Sequence, residues 1–171
     1  SAAGDTILYL DAKLFFTHKG TEKLFEAIPY TKALFLDERI CGVSAASHAT
    51  GYCQAIEKVA GIEIPPRAKF IRTIILELER LYNHIGDVGN VCIGASFLMC
   101  GSHGFRMREH IQQLNETICG NRYLRGMITI GGVRFDIHDD LKKHILDLLD
   151  RVKTDFKELV EIMFTSSSFL D

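Results

Sequence analysis

Glu38-Arg39-Ile40-Cys41-Gly42-Val43-Ser44-Ala45-Ala46-Ser47-His48 is the stretch on which the reading of this chain turns. It has the form of a metal-binding Cys-x-x-Cys-x-x-x-His element with one thiol missing: Cys41 stands at the first cysteine position, but Ser44 occupies the second. If the stretch continues into the helical pattern that follows, Cys41, Ser44 and His48 fall at i, i+3 and i+7 and share one helix face. That face reads as part of a site. Taken singly, Cys41 is more often a small buried hydrophobe than a ligand, and His48 more often a histidine satisfied by a backbone carbonyl. The spacing is what raises a ligand role for the first and a supporting role for the second.

Downstream of this stretch the pattern is helical. Ala45, His48, Tyr52, Ala55, Ile56 and Val59 recur at three and four, predicting a helix over 44–60 that stops at Gly61. Pro65-Pro66 suits a first helical turn, and the apolar stripe Ile71, Ile74, Ile75, Leu78, Leu81, Tyr82, Ile85 predicts a long buried helix ending at Gly86. Val88 to Cys100, apolar all round with small Gly89, Gly94, Ala95 and Ser96, reads as a separate, closely packed helix. Phe105 to Ile118, stopped by Gly120, and the amphipathic run Leu141 to Phe164 supply two more, with Met127 to Val133 between them as a short strand or turn. Arg67, Arg72, Glu77, Glu79, Arg80 and His84 lie at helical neighbour spacings that suit a polar ladder on a solvated face, and Glu79 is assigned there.

Upstream, Thr6 to Leu10 and Lys13 to Thr17 are aromatic and β-branched enough for strands joined at Asp11-Ala12, and Thr21 to Ile28 forms a short helix closed by Pro29. Pro29-Tyr30 then begins a loop leading to Cys41. The expected fold is mainly α: a single domain over residues 1–171, with strands, a short helix and a loop in 1–40 and a helical bundle in 41–171. No repeat, low-complexity run or long Pro/Gly/Ser linker divides it.

Composition narrows the function classes. At 171 residues, 47% hydrophobic and 25% charged, the chain has ordinary globular usage, so disorder is not expected. A formal charge of -2 and the absence of a basic block leave nothing to attract nucleic acid or an anionic bilayer. Five cysteines are an odd number without framework spacing, which points to reduced intracellular thiols. The longest uncharged apolar stretch, Val91 to Gly101, is far short of the roughly 20 residues a membrane span needs, and Ser1-Ala2-Ala3-Gly4 has no basic region followed by an apolar one. There is no Gly-rich phosphate loop, Gly-x-Ser-x-Gly or His-Glu-x-x-His to support nucleotide binding, serine hydrolysis or zincin chemistry.

Four motifs in order, from about residue 8 onward, resemble one family. These are His18-Lys19-Gly20-Thr21-Glu22-Lys23; Glu38-Arg39-Ile40-Cys41-Gly42-Val43 with His48; Glu57-Lys58 and Pro65-Pro66-Arg67-Ala68 followed by Glu77-Leu78-x-Arg80-Leu81-x-x-His84; and Asn121-Arg122-Tyr123 with Ile130-Gly131-Gly132-Val133-Arg134. Together they are similar to the large subunit of membrane-bound, energy-converting nickel-iron hydrogenases and to its relative, the 49 kDa-type subunit of NADH-quinone oxidoreductase, respiratory complex I.

The resemblance implies an oxidoreductase large subunit that takes electrons from an iron-sulfur small subunit to a buried proton- or quinone-reducing site. The parent is then held at the inner, cytoplasmic face of a membrane by partner membrane subunits. It implies Glu22 as a proton carrier with a raised pKa, and His18 as the imidazole that meets quinone. His48 and Arg67 are implied as cofactor-binding residues, and Cys41 as a metal ligand in a degenerate pair with Ser44.

Hydrogenases of this kind hold nickel with two cysteine pairs, one near each end. Because this chain stops before a second pair, it is expected to be a fragment with no cofactor when isolated and no activity alone. Ser44 is neither a soft donor nor readily ionised, whereas Gly42 stands where the quinone branch carries a tyrosine. The cofactor in the parent is thus a nickel-iron centre or a quinone. A metal-free paralogue kept as a scaffold is the alternative, with Ser44 marking a dead site.

Overall fold

In the computed structural model, which describes residues 2–3 and 6–170, two long antiparallel helices form the spine of the molecule. They are α4 (Pro66–Gly94) and α5 (Leu98–Cys119), the most extensively packed pair in the fold. Preceding them are β1 (Ala2–Ala3), β2 (Thr6–Ile7), α1 (Thr21–Ala27), α2 (Tyr30–Asp37) and α3 (Ala45–Ala60); following them are β3 (Ile128–Thr129), β4 (Gly132–Val133), α6 (Asp139–Thr165) and α7 (Ser167–Leu170). The mainly helical fold with a small β component is as the sequence reads. α6 packs on α5, α2 on α3, and the β3–β4 hairpin lies across α3 and α4. No described helix is long and apolar enough to cross a membrane.

The spine differs from the sequence reading in one respect. α4 runs through Gly86 to Gly94, and α5 begins at Leu98, so Val88 to Cys100 is not a separate helix. The turn comes at Ser96, which takes a left-handed φ of 61°. The glycines permit close approach instead of ending the helix: a Cβ on Gly104 would lie 2.8 Å from Gly89 Cα, and one on Gly86 would lie 2.9 Å from Arg108 Cδ. Around this crossing, Tyr82, Cys92, Cys100, Met107, Ile111 and Leu114 fill the core with at most 1% exposure.

A buried ion pair fastens the hairpin to the spine. Arg72, 3% exposed, meets both Glu57 carboxylate oxygens at 3.0 and 2.6 Å and donates further to the carbonyls of Thr129 and Gly132. Glu57 also accepts the Gly131 N–H at 2.9 Å. Both charged groups thus have partners on every side, the condition under which a buried charge is tolerable. Arg72 accordingly does not belong to a solvated ladder.

The N-terminal region departs furthest from expectation. β1 pairs antiparallel with β2, Ala2 opposite Ile7, but the expected strands over 6–10 and 13–17 do not form as a pair. Phe15 holds a left-handed φ of 68°, which interrupts any strand there. Leu10, Phe15 and Phe16 stand more than 80% exposed, so no apolar surface is present to reward a two-stranded ribbon that is marginal alone. The expected loop after Pro29 is instead α2, with Pro29 at its N-cap position.

Candidate functional site

Ser44 takes the N-cap position of α3, with φ -124°, so Cys41 lies in the bend before the helix and the three residues do not share one helical face. Cys41 and Ser44 are nonetheless together. The Ser44 hydroxyl is the largest of several influences that hold the Cys41 thiol below its ordinary value of 9.0, ahead of the Val43 and Ser44 amides and the Lys19 ammonium. A hydroxyl and two N–H groups directed at sulfur stabilise the thiolate, which is the nucleophilic form.

The bend is pinned from several sides. Val43 O accepts from the Tyr82 hydroxyl at 2.6 Å and from Asn83 Nδ2 at 2.8 Å, both on α4. Ile40 O accepts from Lys19 Nζ at 2.9 Å, and the Glu38 carboxylate accepts the Gly126 N–H at 2.6 Å. Burial pushes Glu38 up, with Gly126 and three neighbouring arginines opposing. Ser44 makes no side-chain cap of its own helix. Glu79 does so from α4: its carboxylate accepts the Ala46 N–H at 2.6 Å, the Ser47 N–H at 2.8 Å and the Ser47 hydroxyl. At 2% exposure Glu79 is buried, so its assignment to a solvated ladder is corrected.

His18 stands on the loop that Lys19 ties to this bend, and Glu22 in the first turn of α1 that follows it. Gly20, with φ 68°, donates its N–H to His18 Nδ1 at 3.0 Å, so a neutral imidazole carries its proton on Nε2, which lies 3.8 Å from Glu22. The raised carboxyl pKa expected of Glu22 is not found. Its side chain is 82% exposed, and its own N–H at the start of α1, with Thr21 and His18 helping, holds the pKa below 4.5.

His48 lies half-buried one turn into α3, across a notch from Asp37. Arg67 is elsewhere. It pairs with Asp136 at 2.8 Å and with Ile137 O at 2.8 Å, and twelve residues of helix place it about 18 Å along α4 from Glu79.

The donors at the bend do not by themselves fit a nickel-iron centre. Cys41 brings one thiol, Ser44 a hydroxyl, and among the described residues no group of three or more His, Cys, Asp or Glu is placed to hold a metal ion. The remaining cysteines are placed differently: burial raises the pKa of Cys92, Cys100 and Cys119, and pushes Cys53 up to about 11.

Glu79, Tyr82, Asn83 and Arg72 fall outside the quoted motif positions, yet the sequence carries a signal for two of them. Ala68, Arg72, Ile75, Glu79, Tyr82, Gly86 and Gly89 recur at alternating fours and threes, which puts Arg72 and Glu79 inside the apolar stripe.

Comparison with known proteins identifies relatives of the chain as a whole. The family described as nickel-dependent hydrogenase matches residues 19–86, and that described as respiratory-chain NADH dehydrogenase, 49 Kd subunit, matches residues 93–171. Hydrogenase-4 component G of Escherichia coli (strain K12) is 37% identical over 164 residues, covering 95% of this chain and 30% of that protein. An NADH-quinone oxidoreductase subunit of Thermodesulfovibrio yellowstonii is 38% identical over 144 residues, 84% of this chain and 35% of that one. Among solved structures, a chain of the membrane-bound sulfane sulfur reductase, an archaeal respiratory membrane complex, superimposes with a TM-score of 0.85 at 28% identity, over 91% of this chain and 42% of its own. The chain spans 30%, 29% and 39% of three curated relatives.

Proposed function

The chain belongs to the family that unites the large subunits of nickel-dependent hydrogenases with the 49 kDa subunit of respiratory-chain NADH dehydrogenase, and from that premise we propose that it forms the thiol-bearing rim of an oxidoreductase site reducing sulfane sulfur. One observation carries the reading: where a metal site would want a pair of thiols, there is one thiol, made more acidic by a hydroxyl. The likeness to a chain of a sulfane sulfur reductase supports the choice of acceptor.

The chemistry balances with one thiolate. Cys41 Sγ⁻ attacks a sulfur–sulfur bond of R–S–S–R′, forming Cys–S–S–R and releasing R′–S⁻. Two electrons and one proton then cleave the mixed disulfide to Cys41 thiolate and R–SH. The electrons come from an iron-sulfur small subunit. The Ser44 hydroxyl and the Val43 and Ser44 amides hold the regenerated thiolate. His18 Nε2, 3.8 Å from Glu22, offers a proton at the same rim, and Glu22 exchanges it with solvent. The subunit sits peripherally on a membrane through partner subunits, in keeping with relatives named as membrane-bound.

The test is an assay of the purified parent complex with a low-potential dye donor and three acceptors: an organic trisulfide, a short-chain quinone, and protons. Sulfide or thiol release that Cys41→Ser abolishes is the expected result. Quinone reduction that survives Cys41→Ser but is lost in His18→Ala overturns it for a quinone site, which the outward-facing His18 Nε2–H favours as the second reading. Retained assembly with no turnover of any acceptor identifies a scaffold.

A further inference from the structure

α4 and α6 each pack on α5 but hardly on each other, and between them runs an open groove of about 840 Å³. Their N-terminal ends are held together by Arg67, which meets Asp136 and the Ile137 carbonyl just before α6 begins. The base of the groove is the chain's own core, since Ile71, Leu78 and Ile145 line it, are buried and belong to the main apolar cluster. Phe70, Leu146 and Ile74 line the same groove yet stand 73%, 53% and 39% exposed. An apolar surface that continues a core and lies open along one side is half of a packed layer.

The spacing of the lining residues identifies what fits. On α4 they include Arg67, Phe70, Ile74, Glu77 and Leu81. On α6 they include Asp139, Lys142, Leu146 and Leu149. Both walls step by alternating threes and fours, the period with which one helix meets another lying alongside it. From Arg67 to Leu81 the α4 wall is about 21 Å long at helical rise, the length of a helix of about four turns. An acyl chain or other thin amphiphile has no such period to match. Two charged members of the α4 wall are answered inside the chain, Arg67 by Asp136 at 2.8 Å and Glu77 by Arg80 at 3.2 Å, so the occupant has apolar side chains to bring more than charge. A second copy docked groove to groove fails on shape: under a two-fold axis one concave surface faces the same concave surface, and neither is filled.

The relatives supply the length of chain. These residues span 30%, 29% and 39% of three curated relatives and 42% of the sulfane sulfur reductase chain, so in a protein of such length more than half of the residues lie outside them. A tethered segment reaches the groove at a high effective concentration, which a separate molecule must match by affinity alone. We propose that the α4–α6 groove receives an amphipathic helix from the remainder of the parent chain, whose apolar stripe covers Ile71, Leu78 and Ile145 and completes a four-helix arrangement with α4, α5 and α6. The inference rests on membership of the family and not on the acceptor reduced at the Cys41 rim.

Thiol accessibility in the full-length parent tests it. Phe70→Cys and Ile74→Cys each put a thiol on the α4 wall, the first at a side chain that contributes little to the core of this chain. Maleimide labelling at each position, read by peptide mapping, should run slower in the folded parent than after unfolding in urea by about tenfold or more, the protection of a position reached only by local opening. Less protection than that overturns the proposal. The protection should be the same in the large subunit freed of its partners as in the complex. Protection found only in the complex assigns the groove to another subunit, protection that rises with protein concentration assigns it to a second copy, and protection removed by a delipidating detergent assigns it to an amphiphile; each of these overturns the proposal. The structure of the parent decides the form of the occupant: a helix of the same chain lying along Phe70, Ile74 and Leu146 supports it, and a loop or strand there overturns it. A parent no longer than 171 residues does so as well. All of these outcomes leave the sulfur chemistry of Cys41 to its own assay, so the two readings fail separately.

Discussion

The Glu79 carboxylate on α4 accepts the Ala46 N–H at 2.6 Å, so the first turn of α3 is capped by a side chain 33 residues away in sequence. This contact fixes where α3 begins and hence where the Cys41 bend ends. Removing it leaves the Ala46 and Ser47 amides unpaired at a buried helix start. Glu79→Ala should cost about 2–3 kcal/mol in urea unfolding, the sum of a lost cap and unsatisfied donors. A loss below about 0.5 kcal/mol, the range of an ordinary surface substitution, would mean that α3 is held by its apolar face alone.

The Glu57–Arg72 pair should behave as a unit. Replacing Glu57 by Gln leaves a guanidinium buried and unpaired, at a cost of about 3–5 kcal/mol. Glu57→Leu with Arg72→Met should recover most of that loss, and a double variant no better than the single ones would show the hairpin contacts to dominate.

The same pair sets an acid limit. Arg72, first by hydrogen bonding, holds the Glu57 carboxyl below its ordinary value of 4.5. A lowered folded pKa contributes stability that is fully present above that ordinary value and is lost as pH falls through the folded one. The melting temperature of the native chain should thus drop below about pH 4.5 more steeply than that of Glu57→Gln. Parallel profiles would remove Glu57 from the account.

How much the sequence discloses follows from what each residue packs against. α3, α6 and the β3–β4 hairpin are legible because each has a clear period of its own or a pair of glycines at its turn. The α4–α5 spine is ambiguous at Gly86 because glycine in a helical pattern signals either a stop or a close crossing, and only the partner helix decides which. Glu79 and Arg72 look solvated when their charge is weighed before their phase on the stripe. At the site, the pairing of Cys41 with Ser44 is legible, but its geometry is not: one cap position separates a shared helix face from a bend leading into a helix. Asp37 is silent, since nothing local marks a carboxylate that the fold buries without a donor to one of its oxygens.

Two glycines separate packing from conformational cost. Gly104 faces Gly89 so closely that Gly104→Ala forces the α4–α5 crossing apart, and a loss of about 1–3 kcal/mol is expected from overpacking. Gly51, inside α3, has open space where a Cβ would go, so Gly51→Ala should instead gain about 0.5–1 kcal/mol by removing backbone freedom from the unfolded chain. Chemical denaturation of both variants checks the pair, and a gain in each would refute the close crossing.

Cys41 should be the first cysteine to react. Thiolate is the attacking form, and Ser44, Val43 and Lys19 all favour it at Cys41, whereas burial holds the pKa of the other four above its ordinary value. Access works in the same direction, because Cys53, Cys92 and Cys100 are fully covered while Cys41 is half-exposed. Iodoacetamide at neutral pH, followed by peptide mapping, should therefore label Cys41 well before the rest, with a pH profile whose inflection lies below 9.0. Ser44→Ala removes the largest stabilising influence and should move that inflection upward and slow labelling at neutral pH, while leaving the labelling of unfolded chain unchanged. An unmoved inflection in Ser44→Ala would show that the serine does not activate the thiol, and the single-thiolate chemistry proposed for this rim would lose its physical basis.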